Sequence, residues 1–312
     1  MIKKLIFVKN FFLFQLLLFP LGGLCLDLNF VETKPGLFVH FGKHEDSNQK
    51  NLGDIANISF LVGKNSVMVV DTGSSPMIGR KIIDAIKKKT KKPISHVVIT
   101  HAHPDHFLGL SSFAKEKNIQ KIIGHEKLGR SLVLNFDFYV NQLFESTKDK
   151  SLKEAFLVLP NVTVKTGEKI NIDLGNRIIE IKAWRSGHTD NDLSVYDKKN
   201  NTILTENVFV HRTPSIVASV VGWKTTLEEM LEMDFKFIIP GHGEIKKKEE
   251  AILPMLNYFN ALISKVRKFH SENKDLDYVI KNTLSENKSN WLLYEEYHQR
   301  NVSRVFSELE WE

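Results

Sequence analysis

Three histidines and an aspartate fall within six consecutive positions, His101-Ala102-His103-Pro104-Asp105-His106, directly after the apolar run Val97-Val98-Ile99. The β-branched run ending at Thr100 reads as a buried strand and Pro104 stops it, so the polar cluster sits where strand becomes loop. On an extended segment His101 and His103 face the same way. Both imidazoles then reach one cation at about 2.0 to 2.1 Å, while Asp105 and His106, on the turn, point toward a second ion beside it. A polar loop of solvated histidines is the plain alternative, and it suits a lone His-x-His better than this denser array.

Four further segments follow a recognisable order around that cluster. Val69-Val70-Asp71-Thr72-Gly73 puts an aspartate at a strand end, Gly187-His188-Thr189 and Pro240-Gly241-His242-Gly243 each supply a histidine beside glycine, and Ile203-Leu204-Thr205-Glu206-Asn207 brings a glutamate to a strand. With these segments the chain resembles the metallo-β-lactamase superfamily from about residue 35 to 245. The resemblance implies an α/β (α+β) four-layer αββα sandwich with the site along one edge. It also implies that His101, His103 and His188 serve a first metal with a fourth position open for water, and that Asp105, His106 and His242 serve a second. Asp71 would act as a buttress that hydrogen-bonds the ligands, and Asp105 would also orient a zinc-bound hydroxide. Glu206 departs from the pattern, because the superfamily usually has an aspartate there. One extra methylene displaces a carboxylate by more than the ~0.2 Å tolerance of a metal bond. Glu206 therefore bridges both ions after a small backbone shift, binds the second only, or points elsewhere.

The cofactor expected is zinc, two ions with the second held more weakly, although an all-histidine and carboxylate shell also admits iron or manganese. Glu206-Asn207-Val208-Phe209-Val210-His211-Arg212 and the closing run from Asn301 to Trp311 are similar to the branch called quinoprotein relay system metallohydrolases. Kinship with that branch names no reaction.

Residues 1–25 have a basic start, an apolar body and small residues near the end, which is a signal-peptide pattern. Export to the periplasm or beyond follows, the alternative being an uncleaved membrane anchor. Cys25 is the one cysteine, so a processed chain forms no internal disulfide. The formal charge is +6, falling to about +3 without Lys3, Lys4 and Lys9. That is too little to argue for a nucleic-acid partner. A small-molecule substrate is expected, with no membrane contact after leader removal.

Residues 26–245 are expected to form the sandwich. The strands run over 36–41, 55–62, 66–70, the run ending at Thr100, 119–124, 162–164, 169–172, 177–183, 193–196, 202–204 and 235–239. A helix starts at Pro76 behind a Ser75 cap, with Ile78, Ile82, Ile83 and Ile86 on its buried face. Helices are also expected from His106 to about Lys117, over 126–150 and over 227–233. Phe136, Phe138, Tyr139, Leu143 and Phe144 read as core that also has the option of lining the pocket mouth, and His125 as a buttress or surface residue. The polar stretch 42–52 corresponds to a loop over the site, where His44, Glu45 and Asp46 are solvated or touch substrate. Residues 246–312 are expected to form a helical C-terminal extension packed on the sandwich, or a dimer surface.

The function expected is an exported zinc hydrolase that cleaves an ester, thioester, lactone or amide. A true β-lactamase is a narrower alternative, and a non-catalytic periplasmic binding or accessory protein with a decayed metal site is the alternative from another class.

Overall fold

The structure is a computed structural model that describes residues 28–283, 288–310 and 312. The expected leader, Cys25 and Trp311 lie outside the described residues. Strands β1 (Val31–Lys34), β2 (Leu37–His40), β3 (Ile58–Val62) and β4 (Val67–Val70) form an antiparallel meander. Helix α1 (Pro76–Lys89) crosses over to β5 (Ile94–Val98), which lies parallel to β4. After α2 (Pro104–Phe107) and α3 (Leu110–Phe113) come β6 (Lys121–His125), α4 (Leu128–Thr147) and β7 (Val162–Val164), completing a seven-stranded sheet in sequence order. The second, six-stranded sheet starts with β8 (Lys169–Asp173), β9 (Ile178–Ala183), β10 (Leu193–Asp197) and β11 (Thr202–Phe209). Helix α5 (Val220–Glu232) then leads to β12 (Phe237–His242), parallel to β11, and to the edge strand β13 (Lys246–Lys247). Helices α6 (Lys248–Ser271), α7 (Leu276–Asn282) and α8 (Tyr294–Leu309) follow. Among the described residues no helix is long and apolar enough to cross a membrane.

Alternation along the strands builds the layers. Val67 and Val69 face outward to Ile78, Ile82 and Ile86 of α1, while Met68 and Val70 face inward to the second sheet. Between the sheets Leu37, Val98 and Ile123 meet Ile181, Val195, Leu204 and Ile239. On the far side Ile203 and Ile238 pack on Trp223 and Leu227 of α5, Met255 and Phe259 of α6, and Val302 and Val305 of α8. The order is helix, sheet, sheet, helix, the expected four-layer sandwich.

Three local differences stand out, two of them with a visible physical cause. The helix expected from His106 to Lys117 is two short helices, because the His106 carbonyl accepts from Thr72 N (2.7 Å) and Thr72 Oγ1 (2.9 Å) instead of continuing the helix ladder. Helix α5 starts before the expected Leu227, because Ser219 caps Gly222 N at 2.9 Å and the Glu308 carboxylate of α8 accepts from Val220 N at 2.8 Å. Strand β11 runs to Phe209, past the expected Leu204, so Glu206 lies inside a buried strand.

At the end of the sandwich away from the histidine cluster, buried Arg177 ties the sheets together. Its guanidinium donates to Gly36 O (2.7 Å) and Val62 O (2.9 Å) of the first sheet and pairs with Asp197 of the second at 2.6 Å. Removing one partner strands a buried charge, at a cost of about 3 to 5 kcal/mol. Asp197→Asn is therefore expected to lower the urea midpoint strongly, and Arg177→Met combined with Asp197→Leu to recover part of the loss.

Candidate metal centre

Both sheets deliver their polar residues to one edge. Asp71 leaves β4 with a left-handed backbone (φ 63°), and its carboxylate accepts from Thr100 N, Thr100 Oγ1 and His106 Nδ1, each at 2.8 Å. The Leu193 amide donates to Thr100 O at 2.8 Å and the Ala102 amide to Asn191 Oδ1 at 2.9 Å, so the histidine segment is stitched to the second sheet. Asp192 accepts from Thr189 Oγ1 (2.6 Å) and Thr189 N (3.1 Å), which shapes the turn behind His188. The His188 Nδ1–H donates to Ser215 O at 2.9 Å, and that of His242 to Ile55 O at 2.7 Å. These partners leave Nε2 of His106, His188 and His242 directed at the centre.

His101 Nε2 and His188 Nε2 lie 2.8 and 3.1 Å from Nδ1 of His103. Tetrahedral ligands with bonds near 2.0 Å stand about 3.3 Å apart, so three lone pairs converge as ligands of one ion would. Next to them, Asp105 Oδ2 is 3.3 Å from His106 Nε2 and 3.7 Å from His242 Nε2. Glu206 Oε2 is 3.3 Å from His106 Nε2 and groups with His101 and His106, one residue from each set. His106 Nε2 and Glu206 Oε2 are buried and make no hydrogen bond among the described residues. Buried polar atoms are rarely left so. A set of nitrogen and carboxylate oxygen donors aimed at one another fits a pair of divalent cations.

Electrostatics agree with that donor chemistry at four of the five imidazoles, and at His106 the carboxylates around it favour positive charge. Burial holds His101, His188 and His242 well below the ordinary imidazole value, and His103 at about 4, so their lone pairs stay free. For His106 burial works against protonation, but Glu206, Asp105 and Asp71 outweigh it and raise its pKa well above normal. Burial likewise opposes ionisation of Asp105, yet the neighbouring His106 and His242 keep it below the carboxylate range. Burial pushes Glu206 well up. Several buried carboxylates at one point favour a cation between them.

The sequence model of the Metallo-beta-lactamase superfamily matches residues 52–242. The chain belongs to the metallo-β-lactamase superfamily. Within it, a type 2 metallo-beta-lactamase of Bacillus cereus is 26% identical over 187 residues, covering 57% of this chain and 63% of that protein. The chain thus spans under two thirds of that relative's length. A linear primary-alkylsulfatase of Pseudomonas sp. (strain ATCC 19151) is 28% identical over 110 residues, 35% of this chain and 18% of that one. Among solved structures, a stereoselective inverting sec-alkylsulfatase from Pseudomonas sp. superposes with TM-score 0.68 at 17% identity, covering 90% of this chain and 50% of that chain. A metallo-beta-lactamase from Pontibacter korlensis gives TM-score 0.59 at 16% identity, covering 75% and 99%. Family membership and these superpositions give the chain the metallo-β-lactamase fold, and the donor groups above lie within the matched residues 52–242.

All seven donor residues named from the sequence, His101, His103, Asp105, His106, His188, Glu206 and His242, meet at this edge, with Asp71 behind His106. His125 does not join them. It is buried, its Nδ1 accepts from Lys127 N at 3.1 Å and its Nε2 faces Trp184 O at 3.1 Å, so it braces the chain reversal after β6 and is no surface residue. Glu45 and Asp46 belong to a loop that is held in place by its own contacts. Arg212 donates to Glu45 O (3.0 Å) and Asp46 (3.4 Å), and Tyr297 Oη donates to Asp46 at 2.7 Å, tying the loop to α8. Sequence reasoning missed Thr100, Asn191, Asp192 and Arg212. The run Thr189-Asp190-Asn191-Asp192 was the available signal, since short polar side chains after a glycine and histidine organise turns.

The glutamate substitution has a visible accommodation. A Cβ built on Gly241 would fall 1.7 Å from Glu206 Oε2, so the longer carboxylate occupies the space a side chain at 241 would take. Gly241→Ala is expected to push that carboxylate aside and weaken retention of one ion about 10-fold or more. Adding Glu206→Asp is expected to restore it, as metal content after graded dialysis would reveal.

Proposed function

We propose that the chain is a zinc-dependent hydrolase that cleaves an ester, thioester, lactone or amide bond. The observation that supports this is the pair of adjoining buried donor sets, with His106 Nε2 and Glu206 Oε2 lacking any other partner. In this reading His101, His103 and His188 hold one ion, Asp105, His106 and His242 the second, and Glu206 stands between them. Zinc bound there supplies Lewis acidity, which polarises the scissile carbonyl and brings the ionisation of water near neutral pH. The chain's own residues do the rest. The Asp105 carboxylate would accept a hydrogen bond from the attacking water and orient it toward the carbonyl, the leaving atom taking its proton from water. Asp71 fixes the His106 ring so that Nε2 faces inward. The rings of Phe209 and Trp223 against His188 (5.3 and 4.8 Å between centroids) keep water off the back of the site.

The β-lactamase alternative draws on the Bacillus cereus relative, and sulfate esters enter the comparison through the Pseudomonas alkylsulfatases. A panel of aryl ester, thioester, lactone, cephalosporin and alkyl sulfate separates these. Protein purified without chelator is expected to contain two zinc ions per chain and to hydrolyse at least one carbonyl substrate. Asp105→Asn is expected to lower kcat/KM by at least ~10²-fold. Chelation should abolish turnover and lower the melting temperature, because the clustered carboxylates then lose their counter-charge. One ion or none, with no turnover across the panel, would favour the non-catalytic accessory reading.

A further inference from the structure

We infer that this site takes substrates with an extended apolar chain, and that the chain lies along one flank of α4. The head-group chemistry rests on the hydrolase reading above, whereas the tail rests on a separate observation. Helix α4 buries Leu128, Leu132 and Leu143 in the first core. At 3.6 residues per turn, Phe138 falls off that face, and instead of the expected core position it is 62% exposed. Leu134, one turn earlier on the same flank, is 68% exposed. Scattered exposed leucines need no explanation, but two large apolar side chains on one flank, joined to a reaction centre, do.

The flank is joined to the centre at two points. Ser131 Oγ, one turn before Leu134, lies 3.3 Å from both Asp190 Oδ1 and Asn191 Nδ2, in the turn that carries His188. The Phe138 ring is 5.6 Å from the ring of Tyr139, which stands edge-on to His103 at 6.4 Å. An apolar path therefore runs from a metal-binding imidazole past Tyr139 and Phe138 to Leu134. Between Ser131 and Gln142 the flank also carries Asn135, and the exposed charges Arg130 and Asp137 border it on the side of Leu134, so the stretch from Tyr139 to Phe138 is its uncharged part. A chain laid there is covered on one side only. Each methylene should then contribute about half the free energy of full burial, or about a twofold gain in affinity.

The test uses zinc-loaded protein and n-alkyl hydroxamates of two to ten carbons, whose head group seeks the metal centre whether or not the protein turns anything over. Calorimetric affinity is expected to rise about twofold per methylene. Phe138→Ser combined with Leu134→Ser is expected to flatten that rise while leaving acetohydroxamate binding and zinc content unchanged. Affinity independent of length, or the same gradient in the double variant, overturns the inference. So does sedimentation that shows a wild-type dimer and a monomeric variant without a length gradient, since the flank would then be an interface between copies. A length gradient in binding with no hydrolysis of nitrophenyl esters of the same lengths would sink the hydrolase reading and leave the tail site standing.

Discussion

The carboxylate of Asp71, buried and accepting three hydrogen bonds, is the constraint on which the edge of this sandwich depends. It holds the end of β4 against Thr100, just past β5, and fixes the His106 ring from behind. To aim it there the backbone takes a left-handed conformation that an aspartate adopts at a cost of about 1 to 3 kcal/mol. The cost is offset locally by charge-assisted hydrogen bonds, which are stronger than neutral ones. The same geometry explains why the helix after the histidines is broken. Thr72, next to Asp71, takes the His106 carbonyl out of the helix ladder and turns the ring inward. One short segment after β4 thus determines where two of the candidate donors, His106 directly and His101 through its neighbour Thr100, must stand.

Burial explains why this edge is chemically active and also why it needs a counter-charge. Imidazoles lose protons when desolvated, which suits ligands, and carboxylates resist ionisation for the same reason. The structure satisfies the imidazoles by giving the Nδ1 of His106, His188 and His242 a partner in the protein. It does not satisfy Glu206 Oε2 or His106 Nε2 in that way. A protein that stabilised itself alone would pair these atoms, as Arg177 and Asp197 are paired at the opposite end. The two ends of the sandwich thus show the contrast between a buried pair closed on itself and a buried cluster left open for a cation.

Much of this was legible in the sequence because the motifs lie at strand ends, where a period of two turns abruptly into turn chemistry. Val97 to Thr100 announces a buried strand, Pro104 its stop, and the histidines fall between them. Asp71 was readable for the same reason, following Val69-Val70. The connections were less legible. The polar run Thr189 to Asp192 signals a turn, but nothing in it says that Asn191 reaches back to Ala102, because that bond joins segments distant in sequence. Phe138 shows the opposite failure. An aromatic in an apolar helix reads as core, yet the helix phase is set by Leu128, Leu132 and Leu143, and Phe138 is left outside it.

The C-terminal helices show how a segment without catalytic motifs still bears on the site. Glu308 of α8 caps the start of α5, the helix whose Trp223 packs on His188. Tyr297, also on α8, reaches Asp46 in the loop between β2 and β3, and Arg212 joins both from just beyond β11. Arg212 lies in the same chain segment as Phe209, whose ring touches His242 at 4.9 Å. These helices therefore fasten the loop, the back wall and the end of β11 to one another. In a sandwich whose donors come from both sheets, such ties limit how far the sheets can shift past each other. The donor spacing tolerates shifts of only a few tenths of an ångström, so rigidity imposed from outside the motifs is part of what makes the motifs work.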